Sequence, residues 1–377
     1  MLELIFILSV FGVAFAYFGY PFSLYLLSSF RSRIVRRAAI QPQVTLIITA
    51  FNEEKRIREK LENAQTLTYP KGCMQILVAS DGSTDGTNAI VREYASAGIE
   101  LLDITPRQGK ENAQKEAVKS ANGEILVFSD VATRMDPDAI DKVVRNFADP
   151  SVGSVSSEDK LIGADGKPSG EGAYVRYEMW LRRLESRVNT LVGLSGSFFA
   201  ARRDVCQDFA GDVQSDFRTL LTSVRLGYRG VSDPQVIGYY RDIADEKREF
   251  DRKVRTVLRG ITVFFRHAEF LNPFRYGLFA YQYFCHKLLR WSVPFFLIMT
   301  LVANIALAGS STTCLMLLAG QIIFYSCALY TRLGGPFAQV RTLRIPMYFV
   351  VVNWAILIAW WKFAMGERIV LWTPSQR

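Results

Sequence analysis

The chain has 377 residues, half of them hydrophobic, and 45 lysines and arginines against 36 acids give it a formal net charge of +9. That length accommodates one catalytic domain plus several membrane spans. The hydrophobic excess collects at the two ends, which excludes a uniformly soluble enzyme. The surplus arginines sit beside apolar runs, as expected for contact with anionic lipid headgroups, so membrane lipids rather than nucleic acid are the expected partner. Cys73, Cys206, Cys285, Cys314 and Cys327 form no CxxC and no zinc-like spacing, so neither a disulfide nor a cysteine metal site is expected.

In chain order, the first element runs uncharged from Leu4 to Phe30 and is followed at once by Arg31, Arg33, Arg36 and Arg37. A span needs roughly 20 apolar residues. A cleavable signal peptide would carry its basic residues before the apolar run, so a retained anchor is predicted. Four β-rich runs follow, Val44–Ala50, Gln75–Ser80, Ile99–Thr105 and Glu124–Asp130, alternating with helical patterns near 53–67, 85–97, 110–121 and 137–148. Nearly continuous apolar strands alternating with helices predict an α/β domain with a doubly wound, mainly parallel sheet. Such sheets bind ligands beyond the carboxyl ends of their strands. The distinctive polar segments sit there: Phe51-Asn52-Glu53-Glu54, Asp81-Gly82-Ser83-Thr84-Asp85-Gly86-Thr87 and Ser129-Asp130. No GxGxxG follows the first strand, which disfavours a dinucleotide site.

Further on, Val254, Val257, Leu258, Ile261, Phe264, Phe265 and Ala268 repeat at helical spacing with arginines between them. This predicts a basic amphipathic helix in a membrane interface, or else a surface helix on the domain's own core. An uncharged stretch from Trp291 to Thr331, broken at Gly309-Ser310-Ser311, reads as a helical hairpin, and another runs from Ile345 to Trp361. The basic segments 31–37, 287–290 and 332–344 then fall on one side, the cytoplasm. Four spans leave the tail, with Lys362, Arg368 and Arg377, on the other side, unless one of them is re-entrant.

TAFNEE, DGSTDGT, RQGK, FSD, GLSGS, QSDF and RKVRT, in this order over almost the whole chain, resemble the motifs of family 2 glycosyltransferases. The similarity is to bacterial membrane-bound members related to polysaccharide synthases such as cellulose and hyaluronan synthase. It implies a GT-A (Rossmann-like) cytoplasmic domain with transmembrane and interfacial helices. The expected division is 1–30 N-terminal transmembrane helix, 31–246 GT-A domain, 247–290 interfacial amphipathic helices, 291–365 three transmembrane helices and 366–377 tail. The implied localisation is the plasma membrane, multi-pass.

The implied chemistry is sugar transfer with inversion from a nucleotide-sugar, a UDP-sugar first of all, to a lipid-linked or membrane-proximal glycan in surface polysaccharide synthesis. By resemblance Phe51 and Glu53 belong to the nucleoside loop, though a lone aromatic at a strand end also suits a core. Asp81 matches a nucleoside contact while also suiting a turn, and Asp85 suits a helix cap. Lys110 matches a basic residue near the diphosphate. Asp130 matches the first acid of the metal-binding DxD, whose second acid is here Ala132, and implies Mg2+ or Mn2+. Gly193, Ser195, Gly196 and Ser197 match a loop near donor sugar and acceptor, and Asp216 matches the catalytic base, with Asp212 as the alternative. Arg255 matches the arginine of QxxRW, but Arg252 and Thr256 replace the flanking Gln and Trp, which weakens the rival reading of a processive polymer synthase. Ala132 and Ser215 keep a second rival, a catalytically silent membrane scaffold.

Overall fold

A computed structural model describes residues 1–162, 173–209, 211–241, 246–334 and 340–369. Residues 335–339 of the expected basic loop and the tail beyond 369, with Arg377, lie outside the described residues. The chain divides into two compact units. One joins Met1–Ser23 to Asp245–Arg368, and the other is Leu24–Ala244 with the chain end.

The second unit is built on an eight-stranded sheet: β1 (Val44–Ala50), β2 (Met74–Asp81), β3 (Ile99–Ile104), β4 (Ile125–Asp130), β5 (Arg134–Met135), β6 (Val152–Ile162), β7 (Phe198–Arg202) and β8 (Arg229–Arg241). The order is β3-β2-β1-β4-β7-β6-β8-β5. Strands β3, β2, β1 and β4 are parallel, and β7 pairs antiparallel with both β4 and β6. The four strands read from apolar runs are therefore the parallel half, and the mixed half adds what the sequence did not delimit.

All seven residues of β1 are buried. Because successive side chains face opposite sides, Leu46 and Ile48 enter one core with Ile57, Leu61, Ile140 and Val143. Ile47 enters a second core with Ala113, Ala117, Phe128 and Leu220. Burying each Leu or Ile contributes roughly 1.5–3 kcal/mol, so both helical layers are fixed to the sheet. The parallel strands all end on one edge, which places the segments after β1, β2 and β4 together.

The other unit contains the apolar helices. Four are long and apolar enough to cross a membrane, on length and composition: Leu2–Phe30, Leu278–Leu307, Thr312–Arg332 and Thr342–Ala364. A further helix, Glu246–Arg266, holds the predicted amphipathic repeat, with Val254, Leu258, Ile261 and Phe264 buried. The second apolar helix begins at Leu278 rather than Trp291. Gln282, His286, Lys287 and Arg290 are internal to it, and Gln282 and Arg290 are buried.

Candidate active site

The loop after β1 turns back at Asn52, whose φ of 50° is left-handed. Its side-chain Oδ1 accepts from the Thr84 backbone N at 2.8 Å, which ties the β1 loop to the β2 loop. Asp85 does not take the N-cap position expected of it, which is Gly86; one residue earlier, its Oδ1 accepts from the Thr87 N at 3.0 Å. Glu53 is buried, with its Oε2 accepting from Arg56 Nε at 2.8 Å. Burial pushes its carboxyl up, against the pull of Arg56.

Asp81 ends β2 fully buried. Its carboxylate accepts from the backbone N of Gln108 at 2.9 Å and of Gly109 at 2.9 Å, and lies 3.6 Å from Arg107 Nε. The residue expected at a nucleoside thus organises the 107–109 loop. Gly109 adopts φ 103°, which favours glycine, and this starts the helix Lys110–Ser120. The same loop places the Arg107 guanidinium 3.6 Å from the centroid of the half-buried Phe51 ring, a cation–π contact. Phe51 and Arg107 together present a flat wall beside the strand ends.

Lys110 and Asp130 meet across this edge. Lys110 Nζ donates to Asp130 Oδ1 at 2.5 Å and to the Gly196 carbonyl at 3.0 Å. The Asp130 backbone N donates to the Ser197 carbonyl at 3.0 Å. A Cβ on Gly196 would lie 3.5 Å from Asp216 Oδ2, so the loop backbone runs against that carboxylate. Asp216 lies in the first turn of the helix Ser215–Arg225, where the N-terminal dipole favours its negative charge, and Gln214 Nε2 donates to its Oδ2 at 3.2 Å. Lys110, Asp130, Gly196 and Asp216, from four separate stretches, form one cluster. Asp212, the alternative base, is exposed on the preceding turn. Arg255 belongs to the helix Glu246–Arg266 of the other unit, where burial, Arg259 and Arg252 hold its guanidinium below the usual value.

Two side chains of this site escaped the sequence reading. Asp159, on β6, accepts from Ser195 Oγ at 2.7 Å and from Ser197 Oγ at 2.8 Å, holding the 193–197 loop from below. Lys60 is 2 % exposed and donates to Ser129 Oγ at 2.7 Å and the Thr133 carbonyl at 2.6 Å, bracketing Asp130. Lys60 had a signal, because it shares a helical face with Ile57, Leu61 and Ala64. Asp159 had none, since Ser-Ser-Glu-Asp-Lys reads as solvated surface.

Among the described residues no three His, Cys, Asp or Glu side chains cluster as a metal cage. The Asp130 side chain is partly exposed; its Oδ1 accepts from Lys110, and its Oδ2 accepts no hydrogen bond among the described residues. That donor set fits a hard cation whose other ligands are diphosphate oxygens and water.

Comparison with known proteins bears on the family and the fold. The family model of glycosyl transferase family 2 matches residues 45–209. The glycosyltransferase AglE of Haloferax volcanii is 28% identical over 171 residues, 44% of this chain and 55% of that protein. A poly-beta-1,6-N-acetyl-D-glucosamine synthase of Staphylococcus epidermidis is 24% identical over 170 residues, 44% of this chain and 40% of that one. The chain thus matches about half the length of these relatives. The mannosyltransferase PcManGT of Pyrobaculum calidifontis, solved in complex with GDP-Man and Mn2+, superposes with a TM-score of 0.77 at 22% identity, over 98% of this chain and 100% of that one, a likeness of fold. Residues 45–209 thus resemble glycosyltransferase family 2 in sequence, and the fold is the GT-A fold.

Proposed function

We propose that this protein is an inverting glycosyltransferase of the plasma membrane, with its catalytic domain on the cytoplasmic face. It moves a sugar from a nucleotide-sugar, with a UDP-sugar the first donor to test, to a lipid-linked or membrane-proximal glycan in surface polysaccharide assembly. The observation that carries this reading is the meeting of Lys110, Asp130, the Gly196 carbonyl and Asp216 at the ends of β4 and β7.

In this reading the Phe51–Arg107 wall takes the nucleoside base, and Lys110 turns from Asp130 to the diphosphate, where an ammonium offsets charge in a partly dehydrated cleft. Arg255 is a further phosphate contact, on the resemblance of its motif. Mg2+ or Mn2+ at Asp130 would neutralise the leaving diphosphate. The Asp216 carboxylate takes the proton of the acceptor hydroxyl as its oxygen attacks the anomeric carbon. The bond from that carbon to the diphosphate breaks, and its electron pair leaves with the phosphate oxygen. Attack opposite to departure inverts the centre. The Gly193–Ser197 loop, with glycines allowing close approach, borders the sugar.

Asp216→Asn keeps the shape and removes the basic oxygen. Transfer is expected to fall by about 10² or more, the usual scale for a lost general base, with donor affinity nearly unchanged and Asp212→Asn near wild type. An active Asp216→Asn with a dead Asp212→Asn would move the base to Asp212. If both stay active, direct displacement assisted by a base is the wrong mechanism.

A further inference from the structure

The first long apolar helix ends at Phe30, and the residues that follow are tied down. The Arg33 backbone N donates to the Arg187 carbonyl at 2.8 Å, in the last turn of the helix Ala173–Val188. In return Arg187 Nε donates to Ser32 Oγ at 3.1 Å, and Arg33 Nη1 donates to Asn189 Oδ1 at 3.3 Å. The buried Arg229, 3 % exposed, donates through Nη2 to the Arg33 carbonyl at 2.8 Å and to the Ser186 carbonyl at 2.6 Å. Three stretches far apart in sequence therefore meet, all of them within the sheet-bearing unit.

These guanidiniums share one place without a counter-ion. Further along the segment acids are present, with Asp149 Oδ2 accepting from the Arg36 backbone N at 3.2 Å and Asp233 Oδ2 lying 3.2 Å from Arg37 Nε. Among the described residues, however, no carboxylate lies within ion-pairing distance of Arg31, Arg33, Arg187 or Arg229. Burial and the charge of Arg33 hold the Arg229 guanidinium down to about 10, with Asp149 offsetting part of the cost. Its Nε donates to nothing among the described residues. Like charges crowded in this way are relieved by an anion from outside the chain.

The flanking residues say which anion. Phe30 is 90 % exposed and Ile34 is 80 % exposed, and between them stand the exposed Arg31 and Arg33. Apolar side chains interleaved with arginines suit the boundary of a bilayer, where the first meet acyl chains and the second meet phosphates. A soluble phosphate would gain nothing from Phe30 and Ile34. The sequence marks Arg31 and Arg33 only as the flank of an apolar run, whereas the fold adds Arg187 and Arg229.

We propose that Arg31, Arg33 and Arg187, braced by Arg229, form a binding site for the phosphate of an anionic phospholipid, with Phe30 and Ile34 at the acyl boundary. The forked N–H groups of arginine match phosphate oxygens in pairs. The site gives the sheet-bearing unit a lipid contact of its own.

The inference rests on the membrane reading proposed above. The purified full chain is titrated in detergent with dioleoyl phosphatidylglycerol and, separately, with dioleoyl phosphatidylcholine, and the dissociation constant of the first bound lipid is read by native mass spectrometry. The wild type is expected to prefer the anionic lipid. Arg33→Gln with Arg187→Gln should weaken phosphatidylglycerol binding roughly fivefold for each arginine and leave phosphatidylcholine unchanged. Arg33→Lys with Arg187→Lys keeps the charges and should retain most of the preference. Arg92→Gln with Lys119→Gln removes as much charge from exposed ion-paired residues and should bind like the wild type. A glutamine variant that binds like the wild type overturns the inference, as does a lysine variant as weak as the glutamine one or a control that loses as much. It is also overturned if inorganic phosphate raises the melting temperature as far as phosphatidylglycerol does, which would make the ligand a soluble anion. If the wild type washes off native membranes in sodium carbonate, the membrane reading falls and this inference with it. If it stays and the titrations do not differ, this inference alone falls.

Discussion

Burial pushes the Lys60 ammonium down to about 7, with the nearby Asp130 carboxylate offsetting part of the cost. Between that value and the ordinary 10.5 of lysine, the unfolded chain holds more protons than the folded one, so stability rises with pH across this window. Below it both states are protonated and the cost is fully present. Above it neither is, and the cost is gone. Lys60→Met removes the group, so the melting temperature of the wild type should climb relative to that of the variant from pH 7 to 10. Parallel melting curves would mean that Lys60 is not destabilised by burial. At Asp130 the expectation concerns the donor. Asp130→Asn should lose donor affinity as well as rate, EDTA should abolish turnover, and Mg2+ or Mn2+ should restore it, whereas full activity in EDTA would remove the cation from the mechanism.

The Gly193–Ser197 loop joins more of the site than its sequence suggested. Its serine hydroxyls hold Asp159, the Ser197 carbonyl holds the Asp130 backbone, and the Gly196 carbonyl holds Lys110. Asp159→Asn weakens a charge-assisted hydrogen bond of ~1.5 kcal/mol, so transfer should drop about tenfold. Donor KM should hold if the loop serves the reacting centre, while an equal loss of melting temperature and activity with no kinetic split would make Asp159 merely structural.

The parallel strands were legible because they are buried on both faces and read as apolar runs. β6 was not, because Ser154, Ser156, Ser157 and Glu158 are buried within it, and polar residues buried in a strand look like a loop until their partners are known. The cluster of Lys110, Asp130 and Asp216 was legible from motif order. That Asp81 spends its carboxylate on backbone N–H groups depends on a loop 26 residues away, which no local pattern records.

At the scale of the molecule, apolar runs revealed which four helices are long and apolar enough for a membrane. The start of the second apolar helix was missed, since Gln282 and Arg290 are polar but buried inside the unit. The central claim is transfer from a nucleotide-sugar to a membrane acceptor, and it is tested most directly with the purified full chain in native-membrane vesicles given radiolabelled UDP-sugars and GDP-mannose. The expected result is nucleoside diphosphate release matched by label in the extractable lipid or glycan fraction, in discrete additions rather than a polymer ladder, and lost in Asp216→Asn. No release from any donor, or release unchanged in Asp216→Asn, would contradict it.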